Sequence, residues 1–180
     1  KAQREETPEA IRLSVPIIKE IIRAYRIPIL EVAGYEADDV IGTLATEAGR
    51  QGIITYMMTP DKDYGQLVSD KVFMYRPKHT GGFEVMGVDE VKAKFDIQSP
   101  AQVIDMLGLM GDSSDNIPGC PGVGEKTAQK LIAEFGSIEN LLEHTDQLKG
   151  ALKTKVETNR EMITFSKFLA TIKIDVPVPV

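Results

Sequence analysis

The sequence predicts an α/β protein in which a parallel or mixed sheet flanked by helices is followed by a helical region. Three observations predict it. Short β-rich apolar runs alternate with helical periodicity between residues 27 and 90, the pattern of strands joined by helices. Beyond Val88 the periodicity is helical throughout. A Gly122-Val123-Gly124 turn then leads into one of those helices.

Taken in order, residues 1–8 are polar and end in Thr7-Pro8, a helix start signal. From Ile11 to Arg26, apolar residues recur at helical spacing (Ile11, Val15, Ile18, Ile21, Ile22), which predicts an amphipathic helix with Pro16 near its beginning. Ile27–Val32 reads as a short buried strand, and Ala33-Gly34-Tyr35 turns the chain. Glu36–Arg50 reads as a second helix, with Val40, Ile41, Leu44 and Ala48 on its inner face and Gly52 closing it. Ile53–Thr59, Val72–Tyr75 and Phe83–Met86 supply further strands, the last after a Gly-Gly turn. Helices are predicted over Val88–Phe95, Pro100–Met110, Glu125–Phe135 and Ser137–His144, and then on to about Lys173.

Composition sets the class. The chain has 180 residues, 42% hydrophobic and 27% charged, as in ordinary globular proteins. No apolar run is long enough to cross a bilayer, so no membrane partner is expected and a cytoplasmic address is the default. Cys120 is the single cysteine, which excludes a disulfide within the chain. His79 and His144 lie far apart with no ligand-like neighbours and read as surface or loop residues. The net charge of −6 argues at first against a nucleic-acid partner. Seven of the 27 acids sit in three tight clusters, however, and the other 20 face 21 Lys and Arg. DNA binding is therefore compatible with the total if the clusters hold cations.

Glu36, Asp38 and Asp39 form the first cluster, at a helix start. Glu36 and Asp39 share one helix face. Acids there also cap free N–H groups and complement the helix dipole, so capping explains this cluster by itself. Asp61 and Asp63 form the second, directly after a strand, where sites in open α/β sheets form. Asp112 and Asp115 form the third, in a Gly-Asp-Ser-Ser-Asp-Asn loop that turn chemistry also explains. Should the three converge, cations are implied. Nearby carboxylates oppose one another's ionisation, and hard oxygen donors suit Mg²⁺ or Mn²⁺. Two such ions about 4 Å apart can activate a water and stabilise the departing oxygen of a phosphodiester.

The stretch Ile117 to Ala128, Ile-Pro-Gly-Cys-Pro-Gly-Val-Gly-Glu-Lys-Thr-Ala, is the most specific in the chain. Gly122, Val123 and Gly124 turn tightly into a helix whose free N–H groups suit a phosphate, with Lys126 adding charge and Thr127 a hydroxyl. This pattern looks like a helix-hairpin-helix, which grips DNA backbone without reading sequence. A Walker A loop is excluded, because Glu125 separates Gly124 from Lys126 and the segment follows a helix. An ordinary helix–helix turn is the plain alternative.

With Gly34-Tyr-Glu-Ala-Asp-Asp-Val40, Asp61-Lys-Asp63, Gly111-Asp-Ser-Ser-Asp-Asn-Ile-Pro-Gly119 and Gly122-Val-Gly-Glu-Lys-Thr-Ala128 in order, the chain resembles the flap endonuclease family. The likeness is to the 5′→3′ exonuclease domain that opens bacterial DNA polymerase I, and it covers essentially all 180 residues. The resemblance implies a Mg²⁺- or Mn²⁺-dependent 5′ nuclease with two or more ions, continuous with polymerase domains in the parent protein. Its partner would be DNA bearing a 5′ flap, a nick or an RNA primer, in the bacterial cytoplasm at the nucleoid. It makes Glu36, Asp38, Asp39, Asp61, Asp63, Asp112 and Asp115 metal-site acids, and Gly122, Val123, Gly124, Lys126 and Thr127 the DNA-binding hairpin. K⁺ can bind the same hairpin in relatives. Lys1 and Arg4 match the basic pair of the helical arch, where the lysine meets the scissile phosphate.

In these terms, residues 1–90 form part of an α/β nuclease core with an arch remnant at 1–8. Residues 91–175 form the helical part with the helix-hairpin-helix at about 113–135, and 176–180 begin a linker. Family members begin with a strand carrying a further metal-site Asp, and another Asp precedes the arch lysine. The expectation is therefore a shortened sheet and weak or no cutting by this chain alone. The rival is a non-catalytic helix-hairpin-helix DNA-binding module whose acids are only caps. A phosphatase of the haloacid dehalogenase type fails at Gly65, where that family wants Thr or Val, and it leaves the hairpin unexplained. An EF-hand also fails, for lack of a ligand at Gly65.

Overall fold

The computed structural model describes residues 6–78 and 80–179. Lys1 and Arg4, the expected phosphate-steadying pair, lie outside the described residues, as does His79. Helix α1 spans Glu9–Ala24 and α2 spans Ala37–Arg50. Strands β1 (Thr55–Met58), β2 (Val72–Pro77) and β3 (Phe83–Met86) follow, with a 3₁₀ turn over Lys62–Leu67 between the first two. The sheet order is β1-β2-β3, with β1 parallel to β2 and β2 antiparallel to β3. Helices α3 (Val88–Phe95), α4 (Val103–Met110), α5 (Glu125–Phe135), α6 (Ile138–Glu143), α7 (Gly150–Thr158) and α8 (Arg160–Ala170) complete the described chain.

Helix α4 is the hub of the core. Val103, Met106, Leu107 and Leu109 are all fully buried, so the helix presents apolar surface on every side and packs against α5 and α8. Met74 of β2 and Val91 of α3 join the same core to the sheet. A buried Asp105 is neutralised by Lys167 of α8 at 2.6 Å, and it caps α6 by accepting the Ile138 N–H at 2.9 Å. Breaking such a pair leaves a buried charge, so these three helices are locked in one arrangement.

The structure differs from the expected elements at several points. No strand forms over Ile27–Val32. Arg26 adopts φ +59°, the Ile27 N–H turns back to Ile22 O, and Pro28 has no N–H for a ladder. The sheet thus has three described strands and remains mixed. The long C-terminal helix is two helices, divided at Asn159 and ending at Ala170. In α2, Ile41 is exposed, while Gly42 and Ala45 are buried with Val40. Small residues win because residues 172–173 cross the helix there: a Cβ on Gly42 would stand 2.7 Å from Ile172 Cγ2. The same crossing carries on to Val176, expected to begin a linker but buried, with its N–H donating to Thr43 Oγ1 at 3.1 Å. Helix α1 forms, yet none of its residues is buried.

Candidate functional site

Parallel pairing of β1 with β2 fixes where the second acidic cluster lies. The chain leaves β1 at Met58 and reaches Asp61 within three residues, at the carboxyl edge of the sheet. Asp61 caps the 3₁₀ turn, its Oδ1 accepting the Asp63 N–H at 3.0 Å. That turn carries Asp63 inward until it is 9% exposed, and its Oδ1 is buried with no hydrogen-bond partner. Burial, and then the neighbouring Asp61, push the Asp63 carboxyl up to about 7, against the opposing pull of Lys62.

The first cluster arrives on the N-terminus of α2. Asp39 folds back to accept the Glu36 N–H at 3.3 Å through Oδ2, and the Lys173 N–H at 2.9 Å through Oδ1. Asp38 is half-buried; desolvation and the nearby Glu36 and Asp39 raise it above the ordinary carboxylate range. Capping therefore does occur at Asp39 and Asp61, as the plainer reading of those residues holds.

The third cluster rides on a loop closed by paired backbone bonds between Asp112 and Ile117. Gly111 and Gly119 make this closure sterically feasible. A Cβ on Gly119, at φ +65°, would lie 2.3 Å from the Gly111 nitrogen, and the Gly119 N–H is held by the buried Ser166 Oγ of α8. Asp112 is 7% exposed, with Oδ1 accepting the Ser114 N–H at 2.8 Å and Oδ2 bonded tightly by the Lys62 ammonium. Desolvation works against ionisation of Asp112, but Lys62 and the loop N–H groups outweigh it and hold its carboxyl below the usual range.

Six of the seven acids line one cavity of about 360 Å³: Glu36, Asp38, Asp39, Asp61, Asp63 and Asp115. Ile117 and residues 168–173 form the rest of its wall. Asp112 is not among the lining residues, but its charge acts on Asp63 and Lys62 bonds it. As placed, no group of three or more His, Cys, Asp or Glu side chains among the described residues is arranged to hold a metal ion. The reason is local, since Asp39, Asp61 and Asp112 each turn an oxygen to a backbone N–H and Lys62 draws Asp112 aside. The donor set still suits a hard divalent cation. It is all carboxylate, half-enclosed, and includes one buried oxygen that has no other partner.

The hairpin is a separate feature. Gly122 takes φ +74° and its carbonyl accepts from Lys155 Nζ at 3.3 Å. The N–H groups of Thr127 and Ala128 bond back to Gly124 O as α5 begins. Lys126 is exposed, and the space a Cβ on Gly124 would enter is empty to 4 Å, leaving the backbone open to an approaching group. The Val123 side chain is 4% exposed and part of the core, so it anchors the turn from within.

Three residues that line or shape the cavity escape sequence reasoning. Lys62 sits inside a motif and had a visible signal, its position between two acids. Gln66 and Lys173 had none. Gln66 joins the 3₁₀ turn to the C-terminal segment, donating to Asp63 O and Ala170 O at 3.0 and 2.9 Å and accepting from Ile172 N at 2.9 Å.

With this geometry in hand, comparison with known proteins is direct. The family model described as the 5′-3′ exonuclease N-terminal resolvase-like domain matches residues 1–96. The model for the 5′-3′ exonuclease C-terminal SAM fold matches residues 98–180. DNA polymerase I of Bacillus subtilis is 46% identical over 182 aligned positions, covering 100% of this chain and 21% of that polymerase. The chain thus spans about a fifth of the length of such relatives. Among solved structures, bacteriophage T5 5′-exonuclease with bound zinc superposes with a TM-score of 0.78 at 22% identity, over 94% of this chain and 63% of that one. The T5 flap endonuclease in a pseudo-enzyme–product complex with DNA and metal ions gives 0.76 at 23% identity, over 94% and 62%. Two adjoining family models across nearly the whole length, and a mixed sheet with helices in the arrangement of the T5 nuclease, lead to one assignment: the chain belongs to the 5′-3′ exonuclease family.

Proposed function

We propose that this chain is the 5′ nuclease part of a bacterial DNA polymerase I, serving metal-dependent hydrolysis of a phosphodiester near a 5′ end. One observation carries the reading: six carboxylates from three separated segments meet in one cavity of about 360 Å³. The T5 relative binds DNA and metal ions, as the proposal requires here. DNA with a 5′ flap, a nick or an RNA primer is the substrate class this implies, and Mg²⁺ or Mn²⁺ the cation.

When bound, such cations supply an activated water and stabilisation of the departing oxygen. The chain's own residues do the rest. Asp61 and Asp63 offer oxygens from the turn after β1, Asp38 and Asp39 from the start of α2, and Asp115 from the glycine-bounded loop. Ile117 and the apolar side chains at Phe168 and Leu169 limit water on one side of the basin. Gly122, Gly124, Lys126 and Thr127 grip duplex backbone away from the cut, with Lys155 or a K⁺ ion balancing the hairpin carbonyls. Lys1 and Arg4 would steady the phosphate being cut.

The test is Mn²⁺ titration of the chain followed by calorimetry. The expected result is uptake by the wild type, weakened on the order of 100-fold in Asp61→Ala/Asp63→Ala, with duplex binding in EDTA retained. A second reading keeps one observation in its favour: Asp39, Asp61 and Asp112 all cap backbone N–H groups. It describes a DNA-binding module without catalysis, and it is the correct one if the wild type takes up no Mn²⁺ while still binding duplex.

A further inference from the structure

Lys62 borders the acidic cavity, and the proposed chemistry gives it no role. It lies between Asp61 and Asp63 in sequence, yet its Nζ bonds neither of them. It reaches the Oδ2 of Asp112, 50 residues away. The Asp112 side chain is 5% exposed and that of Lys62 37%. With Oδ1 taken by the Ser114 N–H, the inward oxygen of Asp112 has the ammonium as its partner. Asp63, meanwhile, keeps a buried oxygen with no partner at all. The Lys62 ammonium therefore neutralises one carboxylate directly and offsets the field of Asp61 and Asp63.

An oxygen that accepts a charge-assisted bond from an ammonium cannot at once present the same lone pairs to a hard divalent ion. The two cations also repel. We infer that Lys62 is a displaceable internal counter-ion, which holds Asp112 in the ion-free protein and antagonises the divalent cation that Asp112 would help to bind. The inference rests on the metal-site reading above and deepens it. Displacement needs no backbone change, because a four-carbon stem that is one-third exposed can swing its head into solvent. The antagonism is reciprocal: having to break the Lys62–Asp112 pair lowers apparent affinity for the ion, and the ion removes the stabilising effect of the pair. A site built this way keeps Asp112 paired without metal and fills at a higher cation concentration than it would without Lys62.

The experiment compares Lys62→Met with Lys173→Met in the 180-residue chain, using Mn²⁺ alone as the probe in calorimetry and thermal melts. Lys173 lines the same cavity, with its ammonium 5.7 Å from the Tyr35 ring, so its loss removes an equal charge and leaves the Lys62–Asp112 pair intact. Lys62→Met should bind Mn²⁺ about tenfold more tightly than wild type. It should melt lower in EDTA, with the deficit closing at saturating Mn²⁺. Lys173→Met should gain several-fold less. Lys62→Gln, which keeps a hydrogen-bond donor without the charge, should fall between Lys62→Met and wild type and serves if the methionine variant does not fold. Equal gains in the Lys62 and Lys173 variants would mean that charge alone acts, and would overturn the inference. So would unchanged or weaker Mn²⁺ affinity in both Lys62 variants, or a melting deficit that persists at saturation. No uptake by the wild type overturns the metal-site reading together with this one; uptake without a Lys62 effect overturns this one only.

Discussion

Asp63 concentrates the physical tension of the molecule in one side chain. Its carboxyl is pushed up to about 7 by burial first and by Asp61 second, against an unfolded value near 3.8. The sign follows from which state holds the proton. Between pH 4 and 7 the folded ion-free chain keeps a proton on Asp63 that the unfolded chain has released, so this residue makes stability fall as pH rises through that window. Above about 7 both states are ionised and the fall levels off. In EDTA, Asp63→Asn should therefore remove part of the decline in melting temperature between pH 5 and 7.5. Equal slopes for variant and wild type would show that Asp63 ionises normally. Cation uptake has the opposite dependence, because the ion needs the carboxylate, and its affinity should rise with pH up to about 7.

At the scale of elements, hydrophobic periodicity locates helices but does not name what covers them. The pattern in α1 correctly predicts a helix, although its Leu13, Ile17 and Ile21 are exposed. Periodicity in α2 likewise selects Ile41, yet burial goes to Gly42 and Ala45 because residues 172–173 cross there, a contact between segments 130 residues apart that no local window contains. The strand expected at Ile27–Val32 fails for a related reason, since β character needs a partner and Pro28 withholds a donor. Gln66 is the hinge pin of that unforeseen crossing. One of its three bonds braces the 3₁₀ turn at Asp63, and the other two fasten that turn to Ala170 and Ile172. Gln66→Ala should cost about 2–3 kcal/mol in denaturant unfolding, at roughly 1 kcal/mol per bond. It should also weaken Mn²⁺ uptake, because one wall of the basin loosens. A stability loss with unaltered Mn²⁺ affinity would show that the wall at 168–173 is dispensable to the site.

For the whole molecule, sequence made the acids legible as three local clusters. What brings them together is the parallel register of β1 and β2, the α2 start, and a glycine-closed loop pinned by Ser166 of α8. None of those is a property of the clusters themselves, so convergence had to come from the fold. The same arrangement divides a net charge of −6 into an acidic basin and a nearly balanced remainder, which includes the hairpin. On the proposed function, grip and cutting should respond to different substitutions. Removing one phosphate-binding cation should lower the slope of log affinity against log salt by about 1. Lys126→Ala should do so in EDTA for duplexes of any sequence, if the hairpin grips backbone and not bases as proposed. Above about pH 7, where Asp63 is ionised, Asp61→Asn/Asp63→Asn should leave that slope intact and raise duplex affinity in EDTA, because removing two negative charges weakens repulsion of the phosphates. Adding Mn²⁺ to the wild type should raise duplex affinity in the same direction, by neutralising the basin it fills. An unchanged salt slope in Lys126→Ala would move the grip away from the hairpin. A fall in EDTA affinity on losing Asp61 and Asp63 would mean that the basin holds DNA by something other than captured cations.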